Sequence, residues 1–351
     1  MTETSIAFVH ARQVWDSRGR PTVEADVMLE SGAVGRAIAP AGASTGSGEA
    51  VDLRDGGDAF GGYGVQRAVA NVNEAIAYAI TGMDATNQAA LDARLIALDG
   101  TPNKSRLGAN AIVSVSMAVA HAAAHAAGLP LYRYLADTEV SLIPLPQVQI
   151  FGGGAHAGRR VDIQDFMIMC PGADSFAQAM AWTAEVYRTA GVLMAEAGSL
   201  AGVADEGGWW PAFSTNEQAL DMLVRAIERA GFRIGDQVGI ALDVAASEFG
   251  QGGRYKLALE DRELDSAGMI GLLSGWIARY PILSIEDPLA EDDAEGFAAF
   301  TALHGRSLQI VGDDFLVSDA ARVRTAAANV SANTVLLKPN QCGTLSETLD
   351  A

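Results

Sequence analysis

The stretch PILSIEDP, residues 281–288, decides the fold. It is a short apolar run that ends abruptly in two carboxylates, Glu286 and Asp287, as a buried parallel strand does where it reaches the functional edge of its sheet. Similar apolar runs along the chain end in Asp243, in Asp313 and in Lys338, and amphipathic segments separate them. This alternation predicts parallel βα repeats, and four such units are a large share of a (β/α)8-type barrel.

The residues before this region have a different pattern. Residues 22–29 alternate polar and apolar side chains, and Ser31–Gly32 gives a turn signal before residues 33–39, which predicts an antiparallel meander. Helical stretches follow at 65–80, 88–98 and 110–127. The fold class is therefore α/β, in which a smaller α+β domain, residues 1–137, precedes a barrel domain, residues 138–351.

Composition narrows the class of protein further. The 351 residues include 24 Lys and Arg against 43 Asp and Glu, giving a net charge of −19, and 49% of them are apolar. Such a chain can bury a large core and is not intrinsically disordered. The acidic balance argues against nucleic acid and anionic membranes as partners, because both require a basic surface.

Three further features bear on where the protein works. Cys170 and Cys342 are too few for a disulfide framework, so we expect a reducing, cytoplasmic environment. Residues 1–5 show no signal peptide. The most apolar segment, residues 109–131, contains His121 and His125, which predicts a buried Ala-rich helix rather than a membrane span.

Asp243, Glu286 and Asp313 form the central constellation. Three carboxylates at one barrel mouth would repel each other and become protonated unless a cation lay between them. Oxygen ligands with open coordination positions suit Mg²⁺, and no Cys/His cluster competes with them. The alternative is that each acid caps a helix or forms a surface ion pair.

The chain has three lysines, Lys104, Lys256 and Lys338. Lys338 follows the strand next to Asp313, and it is either a general base or a partner that pairs with a carboxylate. The DEGG turn at 205–208 offers Glu206 as a general acid, or it is a helix-terminal turn.

Taken together, the segments resemble the enolase (phosphopyruvate hydratase) family over nearly the whole chain. The blocks that carry this resemblance are DSRG at 16–19, PTVE at 21–24, GASTG at 42–46, LDGT at 98–101, NKS at 103–105, LGANAI at 107–112, DEGG at 205–208, LDVAASEF at 242–249, SIED at 284–287 and NQCGT at 340–344.

The resemblance implies a role for each matching residue. Asp243, Glu286 and Asp313 would hold the Mg²⁺ that binds the substrate carboxylate. Lys338 would remove the proton from carbon 2 of 2-phosphoglycerate, and Glu206 would protonate the departing hydroxyl. Six residues are predicted to contact the substrate: His156, Gln164 and Asp165, together with Glu286, Asp313 and Lys338. Ser44, on a mobile lid, would bind a second Mg²⁺, and the protein would be a homodimer.

The chain also departs from the family pattern. Asp165 stands where the family carries Glu, Gly152 where it carries Asn, Gly48 where it carries a lid histidine, and Trp209–Trp210 where it carries a smaller pair. Family members continue through two further βα units that bring a Ser-His-Arg loop and a second active-site lysine, so we expect the barrel of this chain to lack those units. Two alternatives to glycolytic enolase are a divergent homologue acting on a related phosphonate or carboxylic acid in secondary metabolism, and a non-catalytic chain.

Overall fold

We describe a computed structural model of the protein, which covers residues 2–42, 45–136 and 138–351. Its N-terminal part begins with the antiparallel sheet β1–β2–β3, formed by Ile6–Trp15, Pro21–Leu29 and Val34–Ile38. The predicted meander is confirmed, because alternate residues of β2 point into the core.

Helices cover one face of this sheet. They are α1 (Gln66–Asn71), α2 (Ala77–Ile80), α3 (Gln88–Asp99), α4 (Ala109–Ala126) and α5 (Leu131–Tyr134); a π-helical turn, Val72–Ile76, joins α1 to α2, and a short 3-10 turn, Ala59–Gly62, precedes them. Helix α4 is long and apolar enough to span a membrane by length and composition alone, but 78% of it is buried inside the protein. The sequence-based prediction of a buried core helix therefore agrees with its position.

Glycine allows α4 to lie close to the sheet. A Cβ atom at Gly35 would lie 2.1 Å from the carbonyl oxygen of Ala118 and 2.2 Å from the amide nitrogen of Ala122. Both atoms belong to the α4 backbone, so any larger residue would force the helix away from the sheet.

The second part of the chain contains a sheet of order β14-β13-β12-β8-β5-β4-β7-β6. Its strands are β4 (Val148–Gly152), β5 (Asp165–Met169), β6 (Leu200–Val203), β7 (Trp209–Pro211), β8 (Gly239–Asp243), β12 (Ile282–Glu286), β13 (Gln309–Gly312) and β14 (Thr334–Val335). A separate small sheet contains β9 (Gly250–Gln251), β10 (Arg254–Leu257) and β11 (Arg262–Asp265).

Helices lie between these strands in the sequence and pack against the sheet. They are α6 (Phe176–Glu196), α7 (Asn216–Arg229), α8 (Ser266–Arg279), α9 (Ala294–His304), α10 (Ala320–Asn329), α11 (Pro339–Cys342) and α12 (Leu345–Asp350), with 3-10 turns at Gly154–Ala157 and Ala246–Glu248. The side chains of Ser175, Thr215, Asp265, Asp293 and Asp319 each accept a backbone hydrogen bond at the start of a helix, which fixes where α6 to α10 begin.

The four predicted strands, β8, β12, β13 and β14, are parallel neighbours, as expected. The sheet as a whole is mixed, however, because β5 runs antiparallel to both β4 and β8, and β6 runs antiparallel to β7. The fold is thus a small antiparallel-sheet domain followed by a mostly parallel barrel-type sheet covered by helices. Each part has its own hydrophobic core.

Candidate active site

Three neighbouring strands place acidic residues side by side. Asp165 pairs in register with Asp243, and Asp243 pairs in register with Glu286. Residues in register on adjacent strands project from the same face about 4.8 Å apart. Asp313 follows β13 two residues after Val311, the register partner of Glu286. The structure therefore gathers the predicted acids at one end of the sheet and adds Asp165 to them.

These carboxylates lie in a strongly unfavourable environment for negative charge. Burial first, and then the neighbouring acids, raise the pKa of Asp243 and of Glu286 well above their ordinary values. Among the described residues, none donates a hydrogen bond to the Glu286 carboxylate, and it is only 8% exposed. A divalent cation would relieve this repulsion, and carboxylate oxygens are the ligands that Mg²⁺ prefers. The donor chemistry of the site thus fits such an ion.

Lys338 lies 2.5 Å from Asp313, measured from Nζ to Oδ2. Burial alone would lower the pKa of Lys338, but the charge of Asp313, its hydrogen bond and the more distant Glu286 raise that pKa above its ordinary value. Without a metal, Lys338 is therefore the protonated ion-pair partner that the sequence allowed as one of two alternatives.

This pairing alters the predicted ligand set. In the described part of the chain, the acidic and imidazole ligand atoms that lie within 4.8 Å of one another fall into two groups, Asp287 with Asp313 and Asp314, and His156 with Asp165 and Glu206. Asp243, Glu286 and Asp313 are not a third such group. Both oxygens of Asp313 accept hydrogen bonds, one from Lys338 and the other, Oδ1, from the amide of Gln341 over 2.6 Å.

Asp287 organises the loop that carries Asp313. Its two carboxylate oxygens accept the backbone amides of Asp313 and Asp314 at 2.9 and 2.8 Å. Burial and the charges of those two acids raise the pKa of Asp287, while the two backbone hydrogen bonds oppose that rise. These two hydrogen bonds make Asp287 a structural anchor for the loop that carries Asp313.

The second group consists of His156, Asp165 and Glu206. His156, in the turn Gly154–Ala157, places its Nε2 atom 3.5 Å from Glu206 Oε1, and burial lowers the pKa of His156. Burial and then the charge of Glu206 raise the pKa of Asp165 to about 7. The side chain of Glu206 is 56% exposed, so this acid lies at the mouth of the site.

The other predicted substrate contact, Gln164, directly precedes Asp165 in the chain and contacts Asp243. Its Nε2 atom donates to Asp243 Oδ2 over 2.9 Å. The structure thus brings together all the predicted site residues of the barrel: Asp243, Glu286, Asp313, Lys338, His156, Gln164, Asp165 and Glu206.

The lid is described only in part, because Ser44 lies outside the described residues. The backbone that follows is fastened to the barrel. The amide of Ser47 donates to Glu291 over 3.0 Å, and the amide of Ala50 donates to the carbonyl of Gln341 over 2.7 Å. A cavity of about 260 Å³ lies under this segment, lined by Gly42, Thr45, Gly46, Ser47, Glu49, Ala50, Val51, Asp52 and Asn340.

Two departures from the family pattern have local explanations. A Cβ atom at Gly48 would lie 2.4 Å from a guanidinium nitrogen of Arg322, so Arg322 occupies the space in which a lid side chain would begin. Trp209 stacks on Tyr187 with ring centres 4.6 Å apart and donates its indole N–H to the Tyr187 carbonyl over 2.8 Å. The tryptophan therefore packs the acidic turn against α6.

Two residues of the site were not predicted as site residues from the sequence. Gln341 donates to Asp313 and contacts Glu49 on the lid at 3.4 Å. Gln149, in the middle of β4, contacts both Asp165 and Gly208. A signal existed for Gln149, since a neutral polar side chain interrupts an otherwise apolar strand.

Comparison with known protein families gives two matches. The family model described as "Enolase, N-terminal domain" matches residues 6–135, and the model described as "Enolase, C-terminal TIM barrel domain" matches residues 140–351.

Proposed function

Because this chain belongs to the enolase family of metal-dependent lyases that act on small molecules, we propose that it catalyses the Mg²⁺-dependent dehydration of 2-phosphoglycerate to phosphoenolpyruvate. The observation that carries this proposal is the register of Asp165, Asp243 and Glu286, which brings buried carboxylates together on three neighbouring strands. Lys338, which contacts Asp313, and the exposed Glu206, whose charge acts on Asp165, belong to the same site.

Asp243, Glu286 and Asp313 are the residues that would hold Mg²⁺. When bound, the ion stabilises the negative charge that develops on the substrate carboxylate as the neighbouring proton leaves. The buried state of these acids supports this assignment, because burial and mutual repulsion raise the pKa of Asp243 and of Glu286 well above their ordinary values, and the charge of Lys338 opposes that rise only in part.

Lys338 is the proposed base. Its neutral amine takes the proton from carbon 2, and the electron pair of that C–H bond moves into the carboxylate as an enediolate. The three acids hold the proton on Lys338 as long as their own charge is not neutralised. Metal binding at these acids is therefore linked to the protonation state of the Lys338 amine.

Glu206 is the proposed acid for the second step. The enediolate electrons form the C2–C3 double bond, the C3–O bond breaks, and the leaving hydroxyl takes a proton from Glu206 and departs as water. Asp165 lies beside Glu206, while His156 and Gln164 would contact the substrate. The pKa of Asp165, about 7, supports its participation in proton handling near neutral pH.

Phosphoenolpyruvate formation from 2-phosphoglycerate, followed by absorbance with and without Mg²⁺, tests the proposal. We expect product only when Mg²⁺ is present. The absence of product at high protein concentration would overturn the proposal. Turnover of a phosphonate analogue alone would instead favour a divergent homologue. Intact metal binding without any turnover would favour a non-catalytic chain. We also propose that the protein is cytoplasmic and forms a homodimer. Analytical ultracentrifugation measures its oligomeric state.

A further inference from the structure

Gln149 lies on β4, the strand between β5, which begins with Asp165, and β7, which follows the turn that carries Glu206. Strand β4 is paired with β5 on one side and with β7 on the other, so it separates Asp165 from the DEGG turn. Gln149 is only 8% exposed, and the next two residues, Ile150 and Phe151, are fully buried. A buried amide in such a strand is costly unless both of its ends are hydrogen-bonded.

Both ends of the Gln149 amide are bonded. Its Nε2 atom donates to Asp165 Oδ1, and its Oε1 atom accepts the backbone amide of Gly208 over 2.7 Å. A backbone N–H can only donate, so the amide oxygen must face Gly208 and the NH₂ group must face Asp165. Asp165 Oδ1 is therefore always an acceptor, and any proton that Asp165 carries is on Oδ2.

Two glycines leave room for this side chain. A Cβ atom at Gly208 would lie 2.4 Å from Gln149 Oε1, and one at Gly152 would lie 3.1 Å from the same oxygen and 2.4 Å from the Cβ atom of Ala204. Neither glycine has a positive φ, so space rather than backbone conformation requires glycine at these positions. Ala204, and next to it Gln149, thus fill the space that a side chain at Gly152 would need, at a position where the family carries Asn.

Anchoring Gly208 also fixes Glu206. The turn that carries Glu206 is closed by hydrogen bonds from Gly207 N to Ala204 O, at 2.9 Å, and from Ala204 N to Gly208 O, at 2.7 Å. Gly208 is thus the end of a rigid turn, and the amide of Gln149 ties that end to the Asp165 carboxylate.

We propose that Gln149 is a positioning residue that holds Asp165 and the Glu206 turn in one fixed relation, so that the two acids act together on the leaving hydroxyl. This inference rests on the proposed function for its chemistry. The geometry predicts that Gln149 serves the second step, loss of hydroxyl, and leaves the first step, proton removal by Lys338, unaffected.

The test compares Gln149→Leu, which loses both hydrogen bonds, with Gln149→Glu, which keeps the acceptor for Gly208 and loses the donor to Asp165. Gln147→Leu is the matched control, because the hydrogen-bond partners of the Gln147 side chain among the described residues are Ser284 and Gln309, which are not predicted site residues. We expect both Gln149 variants to form phosphoenolpyruvate about a hundredfold more slowly with KM changed less than about threefold. Exchange of the carbon-2 proton with deuterated solvent should continue at nearly the wild-type rate.

Two results would overturn the proposal: product formation in both Gln149 variants within about threefold of the control, or an equal fall in product formation and carbon-2 exchange, which a merely structural role would cause. Amide hydrogen exchange at Gly208 gives a readout that needs no turnover. It should quicken in Gln149→Leu but not in Gln147→Leu. If the wild-type protein does not act on 2-phosphoglycerate, the proposed function fails. Faster exchange at Gly208 in Gln149→Leu would still support the contact of Gln149 with the Glu206 turn. Equal exchange in the two variants would refute that contact.

Discussion

At the scale of single residues, the contact between Lys338 and Asp313 links the proposed base to a proposed metal ligand. Lys338 holds one oxygen of Asp313 and Gln341 holds the other. A divalent cation held by Asp313 would compete with Lys338 for this carboxylate. Weakening of the ion pair would favour the neutral amine, which is the form that a base requires.

We predict that Lys338→Ala lowers phosphoenolpyruvate formation by about 10²–10⁴-fold or more, as expected for the loss of a general base. Affinity for Mg²⁺ should be kept or increased, because the competing cation is gone. Lys256→Ala is the control, since Lys256 is an exposed residue of β10. Substantial residual turnover in Lys338→Ala, measured by absorbance, would contradict the assignment of the base.

The sequence pattern was more informative about charged residues than about neutral ones. Asp243 and Glu286 could be placed because an acid that ends an apolar run is conspicuous, and both lie at the strand ends where they were expected. Gln149 gave only a weak signal, a polar residue within an apolar strand, because an amide has no charge to be neutralised and its partners come from other strands or loops. Gln341 was not distinguished for the same reason. The pairing of Lys338 with Asp313 likewise depends on three-dimensional distance.

At the scale of elements, the direction of β5 is the main difference from the predicted parallel repeats. In β8 and β12 the acid follows the apolar run, whereas in β5 Asp165 precedes it. An antiparallel β5 places the start of that strand beside the ends of β8 and β12, so that Asp165 joins the same group of acids. The order of acid and apolar run was therefore a usable signal for strand direction.

The close approach of α4 to β3 gives a prediction about packing. Gly35→Ala should lower the free energy of unfolding by about 1–3 kcal/mol or more, because the added Cβ meets helix backbone that cannot move aside. Gly271→Ala, in α8, is the matched control: nothing lies within 4 Å of its Cβ position, and it should raise that free energy by about 0.5–1 kcal/mol. Urea unfolding measures both, and equal effects would refute this account of Gly35.

At the scale of the whole molecule, the two parts are joined at the same end that carries the site. Lys104 Nζ lies 3.0 Å from Glu347 in α12, and the amide of Ser346 donates to Asp92 of α3 over 2.9 Å. With the Ala50–Gln341 hydrogen bond, these contacts connect the lid segment and the N-terminal part of the chain to α11 and α12. The stability of the whole protein should therefore respond to the charge state of the site.

We predict how metal-free stability depends on pH. Burial and then the charge of Asp313 raise the pKa of Asp314 from its ordinary value near 3.8 to about 7. The folded protein then binds more protons than the unfolded chain, so this contribution to stability is full below about pH 4 and is lost as the pH rises to 7 and above. The slope is at most about 1.4 kcal/mol per pH unit.

Asp314→Asn removes this dependence. In the presence of a chelator, the melting temperature of Asp314→Asn relative to wild type should rise steadily between about pH 4 and pH 7. Calorimetric melting curves at several pH values measure it, and a difference that stays constant with pH would show that Asp314 has an ordinary pKa.

The most direct test of the central claim, that the strand-end acids exist to hold a divalent ion, is calorimetric titration of Mg²⁺ into the metal-free protein in two buffers with different heats of ionisation. We predict saturable binding that releases about one proton or more, because acids with raised pKa values must ionise on binding. Asp243→Asn and Glu286→Gln should lose this binding. Binding that is equally tight in both variants, or that releases no protons in the wild-type protein, would contradict the claim.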